Sequence, residues 1–273
     1  MDLKQVNKKI DGFHDLIASQ TSQPYEGQLK VGVDLGTANI VIAVVDENDQ
    51  PIAGVSRPAS IVRDGIVVDY IGATKILKEL KLEIEDILGT QLKKVATAIP
   101  PGIIEGNTKV ICNVVESCGF EVIKVIEEPT AAARVLGISN GAVVDVGGGT
   151  TGISIIENNE VIFTTDEATG GTHMTLVTAG AYNMPPDQAE VFKKDKSRAS
   201  EIFTVVQPVI EKMASIVKSS IHKYKVTNLY VVGGACSFDQ FESVFKKEIG
   251  VETIKPHHPL LITPLGIAMY ACE

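Results

Sequence analysis

Two aspartates, each followed by a glycine-containing turn, are the residues of this sequence best placed to do chemistry. Asp34 stands two residues before Gly36, and Asp145 stands two residues before the run Gly147-Gly148-Gly149. Glycine lets the backbone approach a ligand and adopt φ > 0, so that successive N–H groups can surround an anion. Carboxylates suit magnesium, which prefers oxygen ligands and keeps several of its waters. The pattern predicts two turns that hold phosphates, with a magnesium ion held by both aspartates through its waters.

The atoms expected to contact phosphate are backbone N–H groups and threonine hydroxyls. They belong to Gly36, Thr37, Ala38 and Asn39 in the first turn and to Gly147, Gly148, Gly149, Thr150 and Thr151 in the second. Either turn alone is explained equally well as an ordinary tight hairpin whose aspartate caps backbone groups. The occurrence of two such turns favours a phosphate site. The second turn leads into another predicted strand and not into a helix, so it is neither a Walker loop nor a Rossmann fingerprint.

The two turns belong to an internal repeat. Without gaps, at an offset of 111 residues, the segment beginning at Val31 shares Val33/Val144, Asp34/Asp145, Gly36/Gly147 and Ile42/Ile153 with the later segment. Two strand–turn–strand units of this kind predict two similar half-domains that face each other.

Two further segments contain candidate site residues. Glu127 and Glu128 end a predicted strand, and Pro129 opens a helix of small residues, where a carboxylate can orient water towards a phosphate or simply cap the helix. Gly233 and Gly234 follow the predicted strand Leu229–Val232, where glycines permit close approach of a flat ligand or form an ordinary turn.

These residues require an α/β framework to position them. Hydrophobic periodicity predicts strands at Val95–Ile99 and Ala142–Val146, and helices over Tyr70–Leu88 and Thr130–Leu136. We divide the chain into residues 29–140 as lobe I, 141–262 as lobe II, and a last helix, within 263–273, that packs back on lobe I.

Residues 1–28 differ from the rest of the chain. Leu3, Val6, Ile10, Phe13 and Ile17 form one apolar stripe of a helix, and a polar linker with Pro24 and Gly27 follows. The helix can dock on its own body, or residues 1–20 can address the protein to a partner. The sequence leaves both open.

Composition excludes several classes. The chain has 273 residues, a net charge of −9, 24 glycines and no tryptophan. The acidic balance argues against nucleic-acid binding. The sequence lacks a run of about 18 apolar residues and an apolar leader, so we expect no membrane span and a cytoplasmic location.

Taken together, the motifs resemble the superfamily of actin, seventy-kilodalton heat-shock chaperones and sugar kinases. Val31–Asp46 and Val143–Ile156 resemble its two phosphate motifs, Ile126–Gly137 its connecting helix and Tyr230–Ser237 its adenosine motif. The resemblance implies an actin-like ATPase fold with ATP and Mg²⁺ between two lobes of mixed sheet and helices, and with reduced outer subdomains. It also implies that Gly233 and Gly234 contact the nucleoside, that Lys218 lies over adenine, and that Glu127 or Glu128 positions water.

Within that superfamily the chain resembles the EutJ family of ethanolamine-utilisation proteins, over about residues 29–270. The supporting segments include residues 62–67, 100–102, 166–171, 212–217 and 263–268. The resemblance implies a chaperone-like accessory protein that works with an ethanolamine-catabolic enzyme or a shell protein of a bacterial microcompartment. The alternatives are an actin-like scaffold and a nucleotide-binding protein without turnover.

Two departures bear on turnover. Heat-shock chaperones carry a further aspartate at the position of Gly152, and a cleft lysine for which only Lys75 or Lys78 could substitute. We therefore expect nucleotide binding to survive while hydrolysis is slow or absent.

Overall fold

Two five-stranded sheets with the same strand order form the framework of the protein. The computed structural model describes residues 2–63 and 66–272. The strands are β1 (Lys30–Leu35), β2 (Asn39–Val45), β3 (Pro51–Pro58), β4 (Val62–Arg63), β5 (Ile66–Val67), β6 (Lys94–Ile99), β7 (Glu121–Glu127), β8 (Gly141–Val146), β9 (Thr151–Glu157), β10 (Glu160–Glu167), β11 (Asn228–Val232) and β12 (Glu252–Ile254). Sheet 1 has the order β3-β2-β1-β6-β7, and sheet 2 has the order β10-β9-β8-β11-β12.

Helices cover and connect the sheets. They are α1 (Leu3–Ser19), α2 (Tyr70–Leu88), α3 (Glu105–Glu116), α4 (Glu128–Leu136), α5 (Gly171–Tyr182), α6 (Pro186–Lys193), α7 (Ala199–Ile221), α8 (Phe241–Ile249) and α9 (Ile262–Met269). Short 3₁₀ helices occupy Lys196–Arg198, Gly234–Ser237 and Pro259–Leu261. No helix among the described residues is long and apolar enough to span a membrane.

The sequence repeat is also a repeat of strand register. In sheet 1, β1 and β2 pair antiparallel with Val33 opposite Ile42. In sheet 2, β8 and β9 pair antiparallel with Val144 opposite Ile153. The identities separated by 111 residues therefore mark equivalent cross-strand pairs. In each sheet, two further strands lie on the other side of the central strand and run parallel to it.

Helices α4 and α9 lie together between the sheets. Helix α9 packs against sheet 1, because a β-carbon on Gly32 of β1 would come within 2.4 Å of the nitrogen of Ala268. Helix α9 also contributes to an apolar cluster that includes Leu265 and the sheet 2 residues Val143 and Val232. The pair thus joins the two halves of the molecule.

Helix α1 docks on the body of the protein. Ile10 and Phe13 are fully buried, and a β-carbon on Gly54 of β3 would come within 2.5 Å of the Phe13 ring. Across the helix, Asp11 Oδ1 lies 3.0 Å from Nδ1 of His257, which follows the edge strand β12. Of the two alternatives for the N-terminal stripe, the structure has the docked one, and α1 touches elements of both halves.

Candidate functional site

The two glycine turns meet where the halves of the molecule face each other. A β-carbon on Gly148 would lie 3.0 Å from Cβ and Cγ2 of Thr37 and 3.8 Å from Cβ of Ala38. Thr37 and Thr150 are partly exposed there. Asn39 begins β2, and its carbonyl oxygen would lie 2.9 Å from a β-carbon on Gly36. The two predicted phosphate turns, which are equivalent in the sequence repeat, therefore lie next to each other.

Helix α5 fixes the direction of the peptide groups in the second turn. The N–H of Gly171 donates to the carbonyl of Gly147 at 2.9 Å, and the N–H of Thr172 donates to that of Gly148 at 2.7 Å. In a trans peptide the carbonyl and the following N–H point in opposite directions. Because both carbonyls face α5, the N–H groups of Gly148 and Gly149 point away from it, as an anion site requires.

Acidic side chains gather beside the turns. Asp145 at the end of β8 is only 6% exposed, whereas Asp34 in β1 is partly buried. Burial raises the pKa of Asp34 to about 7, and the charge of Asp145 contributes. Burial also raises the pKa of Asp145 to about 6, although a hydrogen bond from Thr263 opposes that shift. Both carboxyl groups are therefore harder to ionise in the empty site than an ordinary aspartate.

Of the two candidate glutamates, Glu128 belongs to this acidic group. Burial raises its pKa well above the usual value. The charges of Asp145, Asp34 and Asp166 raise it further. Glu127 is the last residue of β7, where it pairs with Ile99 of β6.

The donor set suits a hydrated divalent cation. Among the described residues, no three His, Cys, Asp or Glu side chains lie close enough together to ligate an ion directly. Carboxylates whose pKa values are raised by burial beside other acidic groups are stabilised in their charged form by an added cation. Magnesium gives up its water reluctantly, so Asp34 and Asp145 fit it through water molecules, as the sequence predicts.

The glycine pair after β11 divides into two environments. Gly233 is buried with φ +91°, and a β-carbon there would come within 2.4 Å of Asp145 Oδ1. Its N–H donates to the carbonyl of Pro259 at 2.9 Å. Gly234 is exposed at the start of a 3₁₀ helix. Packing against the acidic group explains Gly233, while Gly234 is accessible to a ligand.

Some predicted site residues are turned elsewhere. The Thr151 hydroxyl is fully buried and donates to the carbonyl of Thr169 at 2.7 Å. The ammonium of Lys218 donates to the carbonyl of Glu248, at the far end of α8 from Gly234. Lys75 and Lys78 are exposed on α2 and line a surface groove with Ile71 and Leu82. Hydrogen-bond partners distant in sequence decide these directions, and the local motifs do not contain that information.

Two residues at the site had no role assigned from the sequence. Asp166 lies opposite Gly152 in the β9–β10 pairing and acts electrostatically on Glu128. Thr263 donates a hydrogen bond to Asp145 from α9. Both lie in segments that support the family resemblance, Asp166–Gly171 and Thr263–Ala268. The sequence therefore marked these segments as characteristic of the family but did not indicate what the two side chains do.

Comparison with solved structures defines the class of protein as one with an actin-like ATPase fold. MreB5 of Spiroplasma citri bound to ADP aligns with a TM-score of 0.70 at 19% identity, over 89% of this chain and 95% of that one. The PilM–PilN type IV pilus biogenesis complex aligns at 0.74 and 15% identity, over 92% and 100%. A model of the Hsp70 protein family matches residues 68–175, and one of the type IV pilus assembly protein PilM matches residues 132–259.

The chain belongs to the EutJ family of ethanolamine utilization proteins. EutJ of Salmonella typhimurium strain LT2 is 42% identical over 253 residues, which cover 92% of this chain and 89% of that protein. EutJ of Escherichia coli K12 is 40% identical over the same shares. The crystal structure of EutJ from Carboxydothermus hydrogenoformans aligns with a TM-score of 0.94 at 49% identity, over 99% of this chain and all of that one. The predicted family and fold class are confirmed.

Proposed function

We propose that this chain binds ATP with Mg²⁺ between its two halves and acts as an accessory protein of ethanolamine utilisation. The observation that carries the proposal is the orientation of the second turn. Two N–H groups of α5 hold the carbonyls of Gly147 and Gly148, which leaves the N–H groups of Gly148 and Gly149 for phosphate. The first turn supplies Thr37 directly opposite.

The net charge of the protein also implies that nucleotide binding depends on local contacts. The net charge of −9 repels a nucleotide at long range. Affinity must therefore come from local N–H groups and from a cation that would offset the charge of the phosphates and of the nearby aspartates. Asp34 and Asp145 would hold that ion through water, and magnesium would supply charge neutralisation for the phosphates.

Turnover is expected to be slow. Glu128 is our candidate to orient water, but burial and the neighbouring carboxylates raise its pKa well above the usual value, which disfavours its charged form when no cation is bound. Gly152 offers no carboxylate, and Lys75 and Lys78 lie on the exposed face of α2. If nucleotide controls an enzyme or shell-protein partner, that control then depends on binding and release of the nucleotide more than on its rapid hydrolysis.

Calorimetry with ATP tests the binding site. Wild type is expected to bind ATP in the presence of Mg²⁺, and Asp145→Ala is expected to bind at least tenfold more weakly. Thr178→Val provides a control, because that buried hydroxyl donates within α5 to the Met174 carbonyl. Equal affinities for wild type and Asp145→Ala would remove Asp145 from the site, and absence of binding by wild type would reject the proposal.

Association with a microcompartment belongs to the same proposal. A shell contact through the apolar stripe of α1 would require the helix to leave the body, because Ile10 and Phe13 are buried. The exposed face, with Lys4 and Lys8, is available without undocking. Charge reversal at both lysines should reduce co-purification with purified shells if α1 addresses the protein to them. Unchanged co-purification would exclude that face.

A further inference from the structure

Thr263 and Asp145 form a buried contact between elements that are remote in sequence. The Thr263 hydroxyl donates to Oδ2 of Asp145 across 118 residues of chain. The residues are 5% and 6% exposed, respectively. Asp145 lies near the end of β8 in sheet 2, whereas Thr263 lies in the first turn of α9, the helix whose Ala268 packs on Gly32 of sheet 1.

The second oxygen of the carboxylate is also confined. A β-carbon on Gly233 would come within 2.4 Å of Asp145 Oδ1, so the bare backbone of that glycine lies against it. One oxygen therefore faces Gly233 and the other accepts from Thr263. A carboxylate packed at one oxygen and hydrogen-bonded at the other has a fixed orientation before any ligand arrives.

The hydrogen bond of Thr263 differs from those that Thr178 and Thr204 make inside their own helices. Thr178 donates to the Met174 carbonyl and Thr204 donates to the Ser200 carbonyl, each four residues earlier in its own helix. For Thr263 the carbonyl four residues earlier is that of Pro259, which accepts the N–H of Gly233. The Thr263 hydroxyl reaches instead into the acidic group on sheet 2.

We propose that Thr263 is a positioning residue for Asp145, and that it makes magnesium binding depend on the seating of α9 against sheet 2. The inference rests on the proposed function, because it assigns Asp145 to the ion. Residues that orient metal ligands from behind typically contribute about 10- to 100-fold to metal affinity. If the halves move apart, Thr263 leaves with α9, and Asp145 loses the partner that holds its orientation.

The test compares ATP affinity in excess Mg²⁺ with ATP affinity in EDTA. Thr263→Val keeps the side-chain shape but removes the donor, and we expect it to lower affinity about tenfold in Mg²⁺ while leaving affinity in EDTA unchanged. Thr263→Ser retains the donor and should restore most of the magnesium effect. Thr178→Val is the matched control and should behave as wild type in both conditions.

Other outcomes have distinct meanings. Equal losses in Mg²⁺ and EDTA, or no loss in either, would overturn the positioning role. If Thr263→Val is unfolded by circular dichroism, the same comparison is made with Thr263→Ala and Thr263→Ser, and equal magnesium effects in those two variants would also overturn it. Failure of wild type to bind ATP in Mg²⁺ would reject the proposed function itself, and the inference with it.

Discussion

The carbonyl oxygen of Ala131 on α4 lies so close to Gly266 on α9 that a β-carbon on residue 266 would come within 2.0 Å of it. Such a separation is far below van der Waals contact, so the two helices cross at this spacing only because residue 266 has no side chain. The crossing lies between the sheets, where any rotation of one half against the other must be accommodated.

Gly266→Ala should therefore destabilise the protein strongly. The new methyl group meets backbone, which cannot move aside as a flexible side chain can, so we expect a loss of about 2–4 kcal/mol in the free energy of unfolding, at or above the usual range for overpacking. Urea denaturation followed by circular dichroism measures it.

Gly180→Ala is the control for that experiment. Gly180 lies in α5, and a β-carbon added there would meet nothing within 4 Å. Alanine favours a helix by about 0.5–1 kcal/mol over glycine, so we expect a small gain in stability. A Gly266→Ala variant as stable as this control would contradict the tight crossing.

Replacing Asp34 by asparagine should stabilise the folded protein at high pH only. The folded pKa of Asp34 is about 7, against an ordinary value of 3.8. Between these pH values the folded chain holds a proton that the unfolded chain has released, so wild-type stability falls as pH rises from about 4 to 7. Asparagine removes the charge responsible. In urea denaturation without Mg²⁺, we expect a gain of about 1–3 kcal/mol at pH 8 and little change at pH 4. Equal gains at both pH values would show that charge is not the cause.

The same substitution should weaken magnesium-dependent nucleotide binding. A buried carboxylate that lowers the stability of the empty protein is retained when it is needed to bind a ligand, which is a common trade-off between stability and function. Isothermal titration of ATP in Mg²⁺ at pH 8 should show Asp34→Asn at least tenfold weaker than wild type. An affinity equal to that of wild type would place the ion elsewhere.

Gly170→Ala should disrupt the second turn while the fold persists. A β-carbon on Gly170 would lie 2.7 Å from the carbonyl oxygen of Gly148 and 2.8 Å from that of Gly147. The methyl group would push those carbonyls off α5 and redirect the N–H groups that follow. We expect loss of ATP binding with an unchanged circular dichroism spectrum. Gly12→Ala, on α1 with open space around it, should bind as wild type; normal binding by Gly170→Ala would contradict the proposed role of the α5 contacts.

Phe13→Ala should show how firmly α1 is attached. Phe13 is fully buried against Gly54, and we expect removal of its ring to cost about 3–5 kcal/mol, the usual range for a buried phenylalanine. Val6→Ala, at a partly buried position of the same stripe, should cost much less. Urea denaturation separates the two, and a negligible loss for Phe13→Ala would indicate a helix free to leave the body.

Local patterns predicted the framework well because both sheets repeat one strand–turn–strand unit. Helix α2 has the predicted bounds Tyr70–Leu88, and the offset of 111 residues located Asp34 and Asp145 beside their turns. Side-chain directions could not be predicted. The Thr151 hydroxyl points to Thr169, and the Lys218 ammonium to Glu248, through contacts 18 and 30 residues away in sequence.

The docking of α1 illustrates the same limit. An apolar stripe at spacings of three and four residues predicts a helix, but the stripe does not say which surface covers it. The socket for Phe13 is made by Gly54, and the opposite contact is made by His257, 246 residues from its partner Asp11. No local feature of residues 1–28 contains that arrangement.

The packing of Ala268 on Gly32 has a consequence for synthesis of the chain. Sheet 1 has all its strands once Glu127 has left the ribosome, yet the helix that covers β1 is translated only after the whole of sheet 2. Until then the surface around Gly32 is uncovered, whereas the strands and helices of sheet 2 follow one another without interruption. The half made first thus waits longest for α9, whose Leu265 also belongs to an apolar cluster with Val143 and Val232 of sheet 2. A chain stalled before that helix would expose the unfinished surface to aggregation.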